Sequence, residues 1–264
     1  MFAKKSMGQN FLMHRQTAAR IVETATLPKE ALVLEIGPGT GMLTRELLAA
    51  GHRVLAVEAD DALVPELSET FQEEIAAGTL TLVHADIRAF DAASITEPYH
   101  LVANIPYYIT GEIIRQFLTS AHQPRSMTLL VQKEVAERIA REKKGNLLAL
   151  SVKAYGTPAY RFTVPRGAFR PAPNVDSAVL HIADIARKSF ASEAEEERFF
   201  AVLRAGFAHK RKRLAKNLEE YWEKPAVEEA LRAAEVGEDA RAEELSLATW
   251  LAIAALLKNS RSSR

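Results

Sequence analysis

The sequence of 264 residues contains no cysteine. That absence excludes disulfides, thiolate nucleophiles and cysteine-ligated metals together. Long apolar runs are missing as well. None reaches the roughly 18 residues that a membrane span needs, and no apolar stretch follows the lysines near the start as a secretory signal would require. A cytoplasmic protein without membrane contact is expected. The seven histidines are scattered and form no clustered ligand set, so no metal is expected. Neither charge is in excess, since 34 basic residues meet 34 acidic ones, and the balance does not advertise a nucleic-acid partner. Hydrophobic residues at 48% still suffice for a full core and argue against global disorder.

The distribution of charge says more than its sum. Residues 1–20 hold Lys4, Lys5, Arg15 and Arg20 and no acid. Residues 204–216 hold Arg204, Lys210, Arg211, Lys212, Arg213 and Lys216, again with no acid. Two basic patches therefore hide inside a neutral average.

Between residues 31 and 132, short apolar β-rich runs alternate with helical stretches. The runs are ALVLEI (31–36), HRVLAVE (52–58), TLTLVHA (79–85), HLVAN (100–104) and MTLLVQ (127–132). Near-continuous apolarity fits strands covered on both faces, and the alternation predicts βαβ units in a doubly wound, mostly parallel sheet. MLTRELLAAG (42–51) reads as a helix stopped by Gly51. YRFTV and SAVLHI, joined by a proline-rich loop, predict an antiparallel pair closing the sheet. After residue 183 the pattern is helical to the end, and the tail NSRSSR reads as disordered. The fold class is α/β with a small all-α C-terminal domain, divided as 1–185 and 186–264.

The first strand of this series runs into Gly37-Pro38-Gly39-Thr40-Gly41, followed by a helix. Glycines in that place permit a tight turn and a close approach of backbone to ligand. The spacing is not GxGxxG and no GK[ST] follows, so a P-loop is excluded and a dinucleotide fingerprint is disfavoured. Glu58 ends the next strand and can accept both hydroxyls of a ribose, or can be a solvated strand end. Asp86 ends the third strand and suits a contact to an adenine amino group and a helix cap equally. Acids at three successive strand ends (Glu35, Glu58, Asp86) favour a neutral or cationic nucleoside over a phosphate. S-adenosylmethionine, with a sulfonium and no phosphate, is such a cofactor.

The fourth strand ends in Asn104-Ile105-Pro106-Tyr107. This pattern matches that of enzymes that methylate amino nitrogens conjugated to a ring. The adenine N6 lone pair is delocalised and weakly nucleophilic. Two acceptors gripping the N6 protons, the Asn104 side-chain oxygen and the Ile105 carbonyl, favour a tetrahedral nitrogen. Pro106 restricts Ile105 to an extended conformation and holds that carbonyl in place. Tyr107 can stack on a flipped-out base. The bland alternative is an ordinary strand-to-loop turn with a buried tyrosine.

With these motifs quoted, the chain resembles the KsgA/RsmA family of small-subunit rRNA adenine N6,N6-dimethyltransferases nearly end to end. GQNFL (8–12), EIGPGTGMLT (35–44), VEAD (57–60), HADI (84–87), NIPYYIT (104–110), QKEVAERI (132–139), FRPAPNVDSAV (169–179) and FAHKRKRLAKNL (207–218) follow in the family's order. The resemblance implies a Rossmann-like class I methyltransferase domain. It implies cofactor contacts at Gln9, Asn10, Leu12, Gly37, Gly39, Glu58, Asp86 and Asn104. It makes Phe169 a candidate for the second face of the target base, against the alternative of a core phenylalanine. Its product is dimethyladenosine at two adjacent adenosines in the terminal hairpin loop of 16S rRNA. The expected partner is that rRNA in the immature small subunit, and a monomer is expected. Met7, Asn174 and His209 depart from the family pattern without touching the chemistry.

The segment HKRKRL (209–214) is expected to form a helix whose Lys210, Arg211 and Arg213 contact phosphates, against the alternative of a solvated charged face. Rival functions are an Erm-type methyltransferase of large-subunit rRNA, a DNA adenine methyltransferase, and an assembly factor whose methylation is secondary. A Rossmann dehydrogenase is disfavoured by the glycine spacing.

Overall fold

The computed structural model describes residues 9–141 and 145–257. Lys4, Lys5, Met7, Gly8 and the tail 259–264 lie outside the described residues. The strands are β1 (Phe11–Leu12), β2 (Leu32–Ile36), β3 (Arg53–Glu58), β4 (Leu80–His84), β5 (Tyr99–Asn104), β6 (Met127–Gln132), β7 (Thr157–Val164), β8 (Phe169–Arg170) and β9 (Ser177–Ala183). The helices are α1 (Arg15–Thr24), α2 (Met42–Ala49), α3 (Leu63–Thr70), α4 (Gln72–Ala76), α5 (Thr110–Thr119), α6 (Lys133–Ala140), α7 (Leu147–Tyr155), α8 (Glu193–Gly206), α9 (Leu214–Leu218), α10 (Lys224–Ala233) and α11 (Leu247–Leu256).

The main sheet has the order β4-β3-β2-β5-β6-β9-β7. Neighbours from β4 to β6 are parallel, and β9 is antiparallel to both β6 and β7. The apolar runs of the sequence coincide with these strands because their residues are covered on both faces. Val33, Leu34, Leu101, Val102, Leu129 and Leu130 have no exposed surface. On one face, Ile21 and Val22 of α1 and Leu43 and Leu47 of α2 join Val33, Val54 and Ala56 in one apolar cluster. Gly51, with φ +81°, follows the end of α2. A separate two-stranded ladder pairs β1 with β8, setting Phe11 opposite Arg170 and Leu12 opposite Phe169.

The chain divides into two compact units. The first comprises 9–141 and 156–186, the second 145–155 and 187–257. Against a division at 185, the short helix α7 changes sides. Its Leu150 and Ala154 are buried in one cluster with Phe199, Val202 and Leu203 of α8, which explains why it clusters with the C-terminal helices. In that unit Ser192 caps α8 by accepting from the Glu195 amide, and the acids of the first turn suit the helix N-terminus. Trp250 of α11 is fully buried at its centre.

The basic segment 209–213 is a turn between α8 and α9, not the expected helix. Buried Asn217 dictates this. Its Nδ2 donates to the Gly206 carbonyl at 2.6 Å and to the His209 carbonyl at 3.1 Å, satisfying carbonyls at the end of α8 and folding the chain back.

Candidate active site

Ile36 pairs with both Val57 and Ala103, so Gly37, Glu58 and Asn104 emerge together at one edge of the sheet. Strand order reverses here, with β3 on one side of β2 and β5 on the other. Open α/β sheets place their ligand crevice at such a point. A cavity lies there, lined by Gly37, Gly39, Glu58 and Asp86 from the loops after β2, β3 and β4. Asn104, Ile105 and Tyr107 line it after β5, and Gln9 and Asn10 line it from the N-terminal segment.

The Gly37 amide donates to the Val57 carbonyl at 2.9 Å, extending the sheet by one bond before the turn. Gly37 and Gly39 then take φ of +63° and +61°, which L side chains rarely adopt. A Cβ at Gly37 would meet no atom within 4 Å, so the position opens onto free space. A Cβ at Gly39 would lie 2.9 Å from the Phe11 ring, so only glycine lets the N-terminal segment pack on the loop.

Glu58 is buried, and both its oxygens are held by backbone. Oε2 accepts from the Gly39 amide at 3.1 Å and Oε1 from the Asp60 amide at 2.9 Å. Each oxygen retains a lone pair for a ligand hydroxyl. Asp60 in turn accepts from Gln9 Nε2 at 2.8 Å. Gln9 is thus tied to Glu58 through a single intervening residue. Behind the loop Glu35 is buried, and burial pushes its carboxyl up to about 8, with the Glu58 charge adding to the rise. It is a neutral acid at pH 7.

Asp86 does cap a short turn. Its Oδ1 accepts from the Arg88 amide at 2.9 Å, and its carboxylate receives the Arg88 guanidinium at 2.6–3.1 Å. That guanidinium and the amide hold the Asp86 carboxyl below the usual carboxylate range. A carboxylate offers about four acceptor sites, and these four contacts use them, so a ligand amino group at Asp86 has to displace the Arg88 guanidinium.

The Asn104 amide nitrogen donates to the Asn10 carbonyl at 3.0 Å. Its Oδ1 is left as an acceptor. The Ile105 carbonyl receives no hydrogen bond among the described residues. Pro106 follows with φ −54° and ψ 129° and opens the turn that carries Tyr107. The Tyr107 hydroxyl lies 2.6 Å from Ser177 Oγ, and burial raises its pKa. A pair of free acceptors, a fixed aromatic ring and a glycine cradle therefore stand along one wall. The charged lining groups are Glu58 and Asp86, with Arg88 held by Asp86, and no lysine lines the cavity among the described residues. Such a donor set fits a neutral or cationic nucleoside and offers little to a phosphate.

Two expected contacts are placed elsewhere. Leu12 and Phe169 face each other across the β1–β8 ladder, 4% and 2% exposed, within the core and off the cavity wall. Strand alternation is the reason: the pleat that turns Leu12 inward turns Phe11 to the cavity. Lys210, Arg211 and Arg213 are exposed on the turn of the second unit. Arg213 is paired with Asp239 at 3.0 Å and Lys212 with Glu220 at 2.8 Å, whereas Lys210 and Arg211 form no ion pair among the described residues. Phe11, Arg88 and Tyr108 also line the cavity and were not expected there. Arg88 was findable, because a strand-end aspartate that caps a turn brings residue i+2 to its side chain. Tyr108, 64% exposed, carried no signal beyond its neighbour. Among the described residues, no group of three or more His, Asp or Glu is placed to hold a metal, and no helix is long and apolar enough to cross a membrane.

The family model described as ribosomal RNA adenine dimethylase matches residues 2–259. A ribosomal RNA small subunit methyltransferase A of Dehalococcoides mccartyi (strain CBDB1) is 41% identical over 254 residues, spanning 94% of this chain and 86% of that one. Among solved structures, the 23S rRNA methyltransferase ErmE superposes with a TM-score of 0.76 at 29% identity, over 95% of this chain and all of its own. A dimethyladenosine transferase from Plasmodium falciparum superposes with a TM-score of 0.79 at 22% identity, over 92% and 95% of the two chains, and speaks to the fold alone.

Proposed function

Since the chain belongs to the ribosomal RNA adenine dimethylase family, we propose that it transfers methyl groups from S-adenosylmethionine to N6 of two adjacent adenosines in the 3′-terminal hairpin loop of 16S rRNA. The product is N6,N6-dimethyladenosine, and the partner is that rRNA in the immature small subunit. The observation that carries the chemistry is the pair of free acceptors, Asn104 Oδ1 and the Ile105 carbonyl, beside the glycine loop. The choice of subunit rests on identity, 41% to a small-subunit methyltransferase against 29% to a 23S enzyme.

When bound, the cofactor supplies a methyl group on a positively charged sulfur. Glu58 would hold the ribose hydroxyls and Asp86 the adenine amino group, and the backbone at Gly37 and Gly39 would leave room for the rest. Gln9 and Asn10 close the cavity from the N-terminal side. Asn104 and Ile105 grip the N6 protons of the target adenine and localise its lone pair, while Tyr107 stacks on its face. The nitrogen so oriented would receive the methyl group from the bound cofactor, and the N6 proton given up would pass to water. Catalysis is then positioning plus acceptors aimed at the transition state. Lys210 and Arg211 meet phosphates and set register without reading bases.

The test supplies the purified protein with unmethylated small subunits and labelled S-adenosylmethionine, then maps the modified nucleotides. Label at the two adjacent adenosines of 16S rRNA is expected. Label on large-subunit RNA or on DNA would overturn the assignment.

A further inference from the structure

β9 runs antiparallel to β6, which brings its first residue to the edge where the parallel strands end. Ser177 pairs there with Gln132, the last residue of β6. It has no exposed surface, and its Oγ lies 2.6 Å from the Tyr107 hydroxyl. Tyr107 lines the cavity three residues after Asn104. A ring used only for stacking has no need of that contact, since phenylalanine would offer the same face. A hydroxyl pair joining the turn after β5 to a fully buried strand residue fixes the ring's tilt and depth.

We propose that Ser177 is a positioning residue for methyl transfer: through the Tyr107 hydroxyl it holds the ring on which the target adenine stacks, and it matters most for the second transfer. The reason lies in the proton count at N6. Unmethylated adenine offers two N6 protons to the two acceptors. N6-methyladenine offers one, so one grip is lost and stacking carries a larger share of the orientation. The inference rests on the proposed adenine dimethylation.

The experiment measures mono- and dimethyladenosine over time on unmethylated small subunits. Ser177→Ala and Tyr107→Phe should each slow the second transfer about three- to tenfold more than the first. N6-monomethyladenosine then accumulates. The double variant should be no worse than either single one, because both remove the same bond. Ser177→Thr, which keeps a hydroxyl, should restore the dimethylated product. A merely structural role would lower both transfers alike and leave their ratio unmoved. A wild-type ratio in Tyr107→Phe, or additive losses in the double variant, would overturn the proposal. If Ser177→Ala fails to fold, Tyr107→Phe decides, since it removes one oxygen and leaves the strand intact. A wild-type protein that makes no dimethyladenosine on small subunits overturns the functional reading, and this inference with it.

Discussion

Gly39 carries two constraints at once, a positive φ and a Phe11 ring 2.9 Å from where a Cβ would stand. Gly39→Ala should therefore lift residues 9–12 off the loop and also disturb the amide that holds Glu58. We expect at least a tenfold loss of S-adenosylmethionine affinity by calorimetry, with about 1–3 kcal/mol lost from stability. Cofactor affinity equal to wild type would refute the cradle assigned to this loop. Asn104 makes the complementary case. Asn104→Ala deletes one acceptor and also the donor that ties the Asn10 carbonyl to the cavity wall. Methyl transfer should fall about 10²- to 10³-fold, more than cofactor affinity does, and RNA affinity should stay within a few-fold. If small subunits still mature normally with this variant, the binding role of the protein is separable from its chemistry. The place of both on the cavity wall was readable from sequence because Asn104 ends a strand and Gly39 stands in the turn just after one. Leu12 and Phe169 were not. Which of two adjacent residues faces the cavity is set by the pairing of β1 with β8, a contact between positions far apart in the chain.

The turn between α8 and α9 shows the same limit for an element. A basic run with good helix formers predicts helix, yet Asn217 ends α8 and folds the run into a turn. The turn sorts its charges. Arg213 and Lys212 pair with Asp239 and Glu220, whereas Lys210 and Arg211 have no ion pair among the described residues. Replacing Lys210 and Arg211 together by alanine should reduce the slope of log affinity against log salt by about 1.4–1.8. Arg213→Ala alone should change it less. Filter binding to a 16S hairpin across a salt series measures both, and cofactor affinity serves as the control. An equal loss of cofactor binding would make the turn a structural element only. The strands of the parallel sheet were readable nearly to the residue. Burial on both faces writes a continuous apolar run that needs no knowledge of partners.

Stability of the whole molecule should be squeezed by pH from both sides. His181 is buried on β9, and burial, with Arg161 and His100 adding, lowers its pKa to about 4. The unfolded chain takes up that proton from about pH 6.5 downward while the folded one resists it. The stability contributed is complete above about pH 6.5 and is lost as pH falls towards 4, by about 2–3 kcal/mol. His52 and His100 shift in the same direction and add to this limb. Glu35 acts oppositely. Its carboxyl, raised to about 8, keeps its proton in the folded state where the unfolded chain has lost it. Its contribution is complete below about pH 4.5 and declines as pH rises to 8. Glu35→Gln should therefore raise the melting temperature at pH 8 by several degrees and have little effect at pH 5. A thermal series from pH 4 to 9 checks both limbs. A Glu35→Gln gain that does not grow with pH would show the buried acid to be ionised.

What the sequence alone determined is what local chemistry writes into adjacent residues: parallel strands, the glycine loop, the acids at strand ends and the Asn104–Tyr107 segment. The family likeness added order and substrate. Tertiary structure decided the rest. It turned Phe11 rather than Leu12 to the cavity, laid Arg88 on Asp86, moved α7 to the C-terminal unit and set Ser177 against Tyr107. Each of these depends on which distant segments share a sheet edge or a core, and no local pattern encodes that.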